Sequence, residues 1–241
     1  MKKYERQHIK EKFVTNEGYT AEIIDGGNKP MYCTVRIKDS VVEVSYNSLK
    51  KGIVKYPYHP SVYGVGYVGL GVYKTKENGK HTKVYIVWKN MLTRCYDKKY
   101  QSIHPSYMNC YVSKEWHNFQ TFAKWFDKHY TVGYALDKDL LVHGNKVYSP
   151  ETCVFIPQKI NNFLTNKHRS NTSGYTGVSW NKRHKKWVAQ ISSKGKYKHL
   201  GYFDDPKEAA EAYKKARKIE ANKLKELYRD VLPEKAIRNI R

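Results

Sequence analysis

Residues 173–223 constrain the fold most tightly, because two periodicities meet there in a fixed order. Gly177-Val-Ser-Trp-Asn181, Lys186-Trp-Val-Ala-Gln-Ile-Ser192 and Lys196-Tyr-Lys-His-Leu-Gly-Tyr-Phe203 read as strands. The basic turn Lys182-Arg183-His184-Lys185 and the turn Ser193-Lys194-Gly195 separate them at hairpin spacing. Asp204-Asp205-Pro206 then opens a helix over 207–223, since proline is tolerated in a first turn and the helix dipole favours carboxylates there. Ala209, Ala210, Ala212, Tyr213 and Ala216 give that helix a small-residue face able to lie close on a sheet. Alternation along the second strand sends Trp187, Ala189 and Ile191 to the helix side and Lys186, Val188, Gln190 and Ser192 to the other. With Lys182, Arg183 and Lys198, the latter group forms an exposed basic and amide face. Three strands are narrow enough for a DNA major groove, where Lys or Arg reads guanine and Gln pairs with adenine.

The charge supports a polyanionic partner. The 241 residues carry 45 Lys and Arg against 22 Asp and Glu, a formal net charge of +23. The excess is not confined to one tail: residues 71–171 hold 16 basic and 7 acidic residues, and 172–223 hold 13 and 5. Cations interleaved with aromatics suit phosphates and bases. No apolar run approaches the roughly 20 residues of a membrane span, and the charged N-terminus lacks a signal-peptide core, so a cytoplasmic location is expected, in the host cell if the chain is phage-encoded. Cys33, Cys95, Cys110 and Cys153 form no C-x-x-C pair, which argues against a zinc ribbon or a disulfide scaffold.

The rest of the chain divides by period. Alternating stretches at Tyr19–Ile24, Tyr32–Ile37 and Val41–Tyr46 make residues 1–75 a small β-rich module. Gly64-x-Gly66-x-x-Gly69 matches a dinucleotide pattern in spacing, but no βαβ unit surrounds it, so a glycine-rich loop or linker joining two domains is expected there. Val84, Val87, Trp88, Met91, Leu92 and Cys95 share one helix face, and Trp116, Phe119, Phe122, Ala123 and Phe126 a second one after a Ser113 cap. Residues 134–155 read as strand, loop and strand, closed by a helix to Leu164. Leu136-Asp-Lys-Asp-Leu140 places two carboxylates at alternate strand positions, which is compatible with a salt-bridged strand or with a hard divalent cation.

Two resemblances sharpen these expectations. Residues 85–163 resemble phage and mobile-element homing endonucleases of the HNH, or ββα-metal, class. They do so through Trp88-Lys-Asn-Met-Leu-Thr-Arg-Cys95, Cys110-Tyr-Val-Ser-Lys-Glu-Trp116, Leu136-Asp-Lys-Asp139, Gly144-Asn-Lys-Val-Tyr-Ser-Pro-Glu-Thr-Cys153 and Pro157-Gln-Lys-Ile-Asn161-Asn162. The resemblance implies one Mg²⁺ or Mn²⁺ held by Asp137 and by Asn161 or Asn162, at the scissile phosphate of double-stranded DNA. The general-base position, a His in that family, falls here on Lys138. Lys138 with a depressed pKa, a displaced His143 or His104, or a fold retained only for binding are the three arrangements left open. Residues 173–220 resemble an AP2-type DNA-binding domain through Tyr175-Thr-Gly-Val178, Lys186-Trp-Val-Ala-Gln-Ile191, Leu200-Gly-Tyr-Phe203 and Glu208-Ala-Ala-Glu-Ala-Tyr213. In such domains the sheet meets the DNA, and positions often filled by Arg are here Thr176, Ser179 and Ser192.

The expected architecture is therefore α+β: a β module at 1–75, an HNH-like module at 76–170, an AP2-like sheet plus helix at 171–224, and a basic tail at 225–241. Expected DNA contacts are Ser179, Trp180, Lys182, Arg183, Lys186, Gln190, Ser192 and Lys198. Expected catalytic residues are Asp137, Lys138, His143 and Asn161. The function expected is sequence-specific DNA binding with metal-dependent phosphodiester hydrolysis. The alternative is a non-catalytic regulator or blocker, with a protein-binding decoy a more distant rival.

Overall fold

A computed structural model describes residues 8–164, 173–193 and 196–241. The chain divides between Asp127 and Lys128 into two compact units. The boundary falls inside the segment expected as a 76–170 module.

The first unit opens with an antiparallel sheet in the order β1 (Lys12–Val14), β2 (Thr20–Gly26), β3 (Tyr32–Ile37), β4 (Ser40–Ser45). Its inward positions Ala21, Ile23, Val35 and Ile37 alternate along β2 and β3 and pack with Leu49 and Val54. Leu49 belongs to α1 (Tyr46–Lys50), whose first turn is capped by the Ser45 hydroxyl accepting from the Ser48 N–H at 3.2 Å.

The glycine-rich segment is not a free linker. Gly66 lies so close to α2 (Lys83–Tyr96) that a β-carbon there would come within 2.5 Å of Leu92 Cδ1. Tyr67 donates to the His117 carbonyl at 3.0 Å and accepts from the Phe119 N–H at 2.9 Å. Gly66, Gly69 and Gly71 thus permit close packing. The hairpin β5 (Lys76–Glu77) and β6 (Lys80–His81) precedes α2, which is followed by α3 (Lys98–Ile103), β7 (Tyr111–Val112) and α4 (Phe119–His129). Trp88, Met91 and Leu92 of α2 and Phe119, Phe122 and Ala123 of α4 are fully buried, as their spacing predicts. Ser113 precedes only a short 3₁₀ turn, Lys114–His117, and its hydroxyl donates to Glu115 Oε1 at 3.4 Å rather than capping a backbone N–H; α4 starts after Asn118, whose Oδ1 accepts from the Gln120 N–H at 2.9 Å.

The second unit begins with β8 (Tyr134–Asp137), then β9 (Val147–Tyr148) and β10 (Val154–Pro157), which pairs antiparallel with β8, and α5 (Gln158–Leu164). A three-stranded antiparallel sheet follows, in the order β11 (Val178–Asn181), β12 (Lys186–Ser193), β13 (Lys196–Phe203). It is backed by α6 (Pro206–Leu227), and α7 (Glu234–Arg238) follows. Asp205 caps α6, its carboxylate accepting from the Lys207 N–H at 2.8 Å.

Helix α6 serves two cores. Ala209, Ala210 and Ala212 lie with Val178, Trp187, Ala189 and Phe203 of the sheet. Two turns on, Ala221 and Leu224 pack with Leu140, Ile156, Ile160 and Phe163 of the strand–strand–helix element. The stretch 225–241, expected as a basic tail, is part of this second core: Leu232, Ala236 and Ile240 are buried in it. The physical reason is apolar spacing on α6 and α7 that the basic composition masks.

Candidate nucleic-acid interface

The three-stranded sheet has one face against α6 and one open face, and the register decides which side chains stand on each. Val178 pairs with Ala189, both in the helix-side core, so Trp180 and its partner Trp187 share that side. Ser179 pairs with Val188 and Val188 with Tyr202, on the open side. The pairing then slips by one residue between Ala189 and Gln190. From there Gln190 faces His199, Ile191 faces Lys198 and Ser192 faces Tyr197. A one-residue bulge sends every later side chain of the bulged strand to the opposite face.

The register places two of the expected contacts on the helix side. Lys198 stands on the side of Ile191, the helix side, because of the bulge. Trp180 stands there too, its ring 5.1 Å from Trp187, although it remains 45% exposed at the margin. The open face instead carries Ser179, Val188, Gln190, Ser192, Tyr197, His199 and Tyr202. Tyr202 lies between two histidines, 4.5 Å from His184 and 4.7 Å from His199. Tyr197, His199 and Tyr202 were missed in the sequence; Gly201, interrupting an otherwise continuous strand, was the available signal of a bulge.

Cations flank this face. Lys182 and Arg183 project from the β11–β12 turn and are exposed. That turn is fixed by the Asn181 side chain accepting from the His184 N–H at 3.0 Å, with Lys185 at φ 49°. Lys186 is on the open side at the sheet end, where its ammonium meets the Asp204 carboxylate at 3.1 Å. Gln190 is half-buried on the central strand, and its backbone N–H reaches the Gly177 carbonyl at 3.0 Å.

The residues expected to hold a metal are arranged differently. Strand β8 ends at Asp137, so Asp137 and Asp139 do not alternate along one strand. Asp137 Oδ1 accepts the N–H groups of Asp139 at 2.9 Å and Leu140 at 2.6 Å, closing the turn that follows. Burial raises its pKa, and those two N–H groups oppose the shift. Lys138 points inward and is only 6% exposed. Its ammonium donates to Asp139 Oδ1 and to the Asn145 carbonyl, both at 2.6 Å. Asn145 ties the loop from within: its amide donates to the carbonyls of Lys138 at 2.8 Å and Val147 at 2.6 Å.

His143 is exposed at the tip of that loop. Asn161 and Asn162 lie on α5; Asn162 Oδ1 accepts from Gln158 at 2.8 Å. His104 lies in the first unit with its ring 4.4 Å from Tyr100. Asp139 is taken up by Lys138, and one oxygen of Asp137 by two backbone donors. Among the described residues no three His, Cys, Asp or Glu side chains are grouped to hold a metal ion.

A three-stranded antiparallel sheet backed by one helix, with an open polar face and a basic turn at its end, defines a sheet-type DNA-binding module. Residues 173–219 match the family model of the AP2 domain. The chain therefore contains an AP2 domain, which indicates sequence-specific DNA binding and makes DNA a partner of this protein. No curated protein and no solved structure gives a significant match. Among the described residues no helix is long and apolar enough to cross a membrane.

Proposed function

We propose that this protein binds a specific site on double-stranded DNA and occupies it without cutting it, as a regulator or blocker acting wherever that DNA is held. The observation that carries this reading is Lys138. At the position where the HNH resemblance requires a general base, a buried ammonium is already donating to Asp139 and to the Asn145 carbonyl. An ammonium so held carries no lone pair for water, and its charge opposes a divalent cation beside Asp137. The open face of β11–β13 supplies the readout and the surrounding lysines supply phosphate contacts.

A metal-dependent nuclease is favoured by one observation, the strand–strand–helix order of β8, β10 and α5 with Asp137 at the strand end and Asn161 on the helix. Incubating the full chain with a bound duplex in Mg²⁺ or Mn²⁺, beside Asp137→Ala, separates the two. A gel shift with intact DNA, unaltered by the substitution, is the expected result. Metal-dependent cleavage abolished in Asp137→Ala would establish the nuclease instead. No shift with any duplex at moderate salt would remove both.

A further inference from the structure

The register of the sheet goes beyond DNA binding as such to the kind of base pair read, and the inference rests on the sheet being the DNA-contacting surface. From the pair Val188–Tyr202 to the pair Ser192–Tyr197, the open face consists of Val188, Gln190, Ser192, Tyr197, His199 and Tyr202. It holds neither Lys nor Arg. The bulge between Ala189 and Gln190 turns Lys198 to the helix side, Lys186 is drawn to Asp204 at the sheet end, and Lys182 and Arg183 sit in the turn beyond it.

That arrangement matters because guanine presents two acceptors, O6 and N7, to the major groove and is read best by the paired donors of Arg or by Lys. Adenine presents one acceptor and one donor, N7 and N6, which only an amide matches at both points. Gln190 is the one primary amide in these rows, on the central strand, and among the described residues its side chain has no hydrogen-bond partner. Around it the exposed rings of Tyr197, 68% accessible, and Tyr202, 44% accessible, offer apolar surface of the kind that suits thymine methyl groups. The cations at the sheet end are placed for phosphates outside these steps.

We propose that the centre of the target is A·T-rich, with Gln190 pairing with an adenine in the major groove and Tyr197 and Tyr202 covering the neighbouring thymines. The face discriminates against guanine by lacking a cationic fork, and Lys182 and Arg183 anchor the flanks without reading the centre.

Selection of bound duplexes from a randomised pool, using the full chain, tests this. The expected outcome is a motif with an A·T centre, lost or relaxed at one step in Gln190→Ala, whose affinity for the selected site falls about ten- to hundredfold while binding to unrelated duplex is unchanged. Gln190→Arg should move the preference at that same step to G·C, a gain that misfolding cannot produce. A motif with a G·C centre, or one that survives Gln190→Ala unchanged, overturns the inference and leaves sequence-specific binding intact. Binding without enrichment of any motif overturns both.

Discussion

The Arg217 guanidinium carbon lies 4.1 Å from the centre of the Phe163 ring, and the same guanidinium donates to the Phe163 carbonyl at 3.0 Å. It also donates to the carbonyl of Arg241 at 3.1 Å. One side chain of α6 therefore ties the end of α5 and Arg241 to the helix that backs the three-stranded sheet. Loss of the ring contact and the charged hydrogen bonds in Arg217→Ala should lower stability by about 2 kcal/mol. Denaturant unfolding reads this directly, and Arg217→Lys should recover less than half, since a point charge cannot stack and fork together. An unchanged midpoint in Arg217→Ala would contradict the role.

Gly177, just before β11, lies tight against α6: its φ is +76° and a β-carbon there would stand 2.1 Å from the Tyr213 ring. Gly177→Ala combines a disfavoured backbone with a collision against a buried ring, and should cost about 3 kcal/mol. Gly174→Ala is the control: its φ is +75° but nothing lies within 4 Å, so about 1 kcal/mol of backbone strain is expected. Thermal unfolding of the two variants should rank them in that order.

Asp137 gives a pH dependence with a definite sign. Burial lifts its folded pKa above the ordinary 3.8, so folding favours the protonated form relative to the unfolded chain. The stability tied to that form is fully present below pH 3.8 and is lost as pH rises through the folded pKa. Asp137→Asn keeps an oxygen for the N–H groups of Asp139 and Leu140 and removes the buried charge. It should be at least as stable as the wild type at pH 7, with the difference closing on acidification to about pH 4, and millimolar Mg²⁺ should leave both melting temperatures unchanged. A wild type that is the more stable at pH 7, or is selectively stabilised by Mg²⁺, would count against this account and favour a metal site.

The thiols provide a further check. Burial pushes Cys153 up to about 12 and raises Cys33 as well. At pH 8 only about one part in ten thousand of Cys153 would be thiolate, the reactive form. Alkylation of the native protein should spare it, and labelling should become rapid only after denaturation; fast native labelling of Cys153 would refute its burial.

Much of this arrangement is legible in the sequence where one local period governs. The alternation at Tyr32–Ile37 becomes β3, and Trp187, Ala189 and Ile191 fall on the helix side as their spacing requires. What is not legible depends on single backbone events and on distant packing. The slip between Ala189 and Gln190 reassigns Lys198 without altering any residue pattern in the strand it leaves. The inward turn of Lys138 depends on acceptors seven residues away, at Asn145. Likewise, the burial of Leu232 and Ile240 needs partners on α5, Ile160 and Phe163, about seventy residues earlier.

If the open face of the sheet meets the DNA, its register decides which cations are placed to bind phosphate. Lys182 and Arg183 flank the open face from the β11–β12 turn, whereas Lys198 stands on the opposite side. Each phosphate contact contributes about one unit to the slope of log affinity against log salt. The pair Lys182→Ala and Arg183→Ala together should therefore flatten that slope by about two, and weaken binding to all sequences alike. Lys198→Ala should leave the slope nearly unaltered despite removing the same charge, because a cation behind the sheet displaces no counterion from the groove. Titrations of the full chain from low to moderate salt separate these outcomes. A Lys198→Ala slope as flat as that of the turn variant would mean that the bulge does not set the binding face.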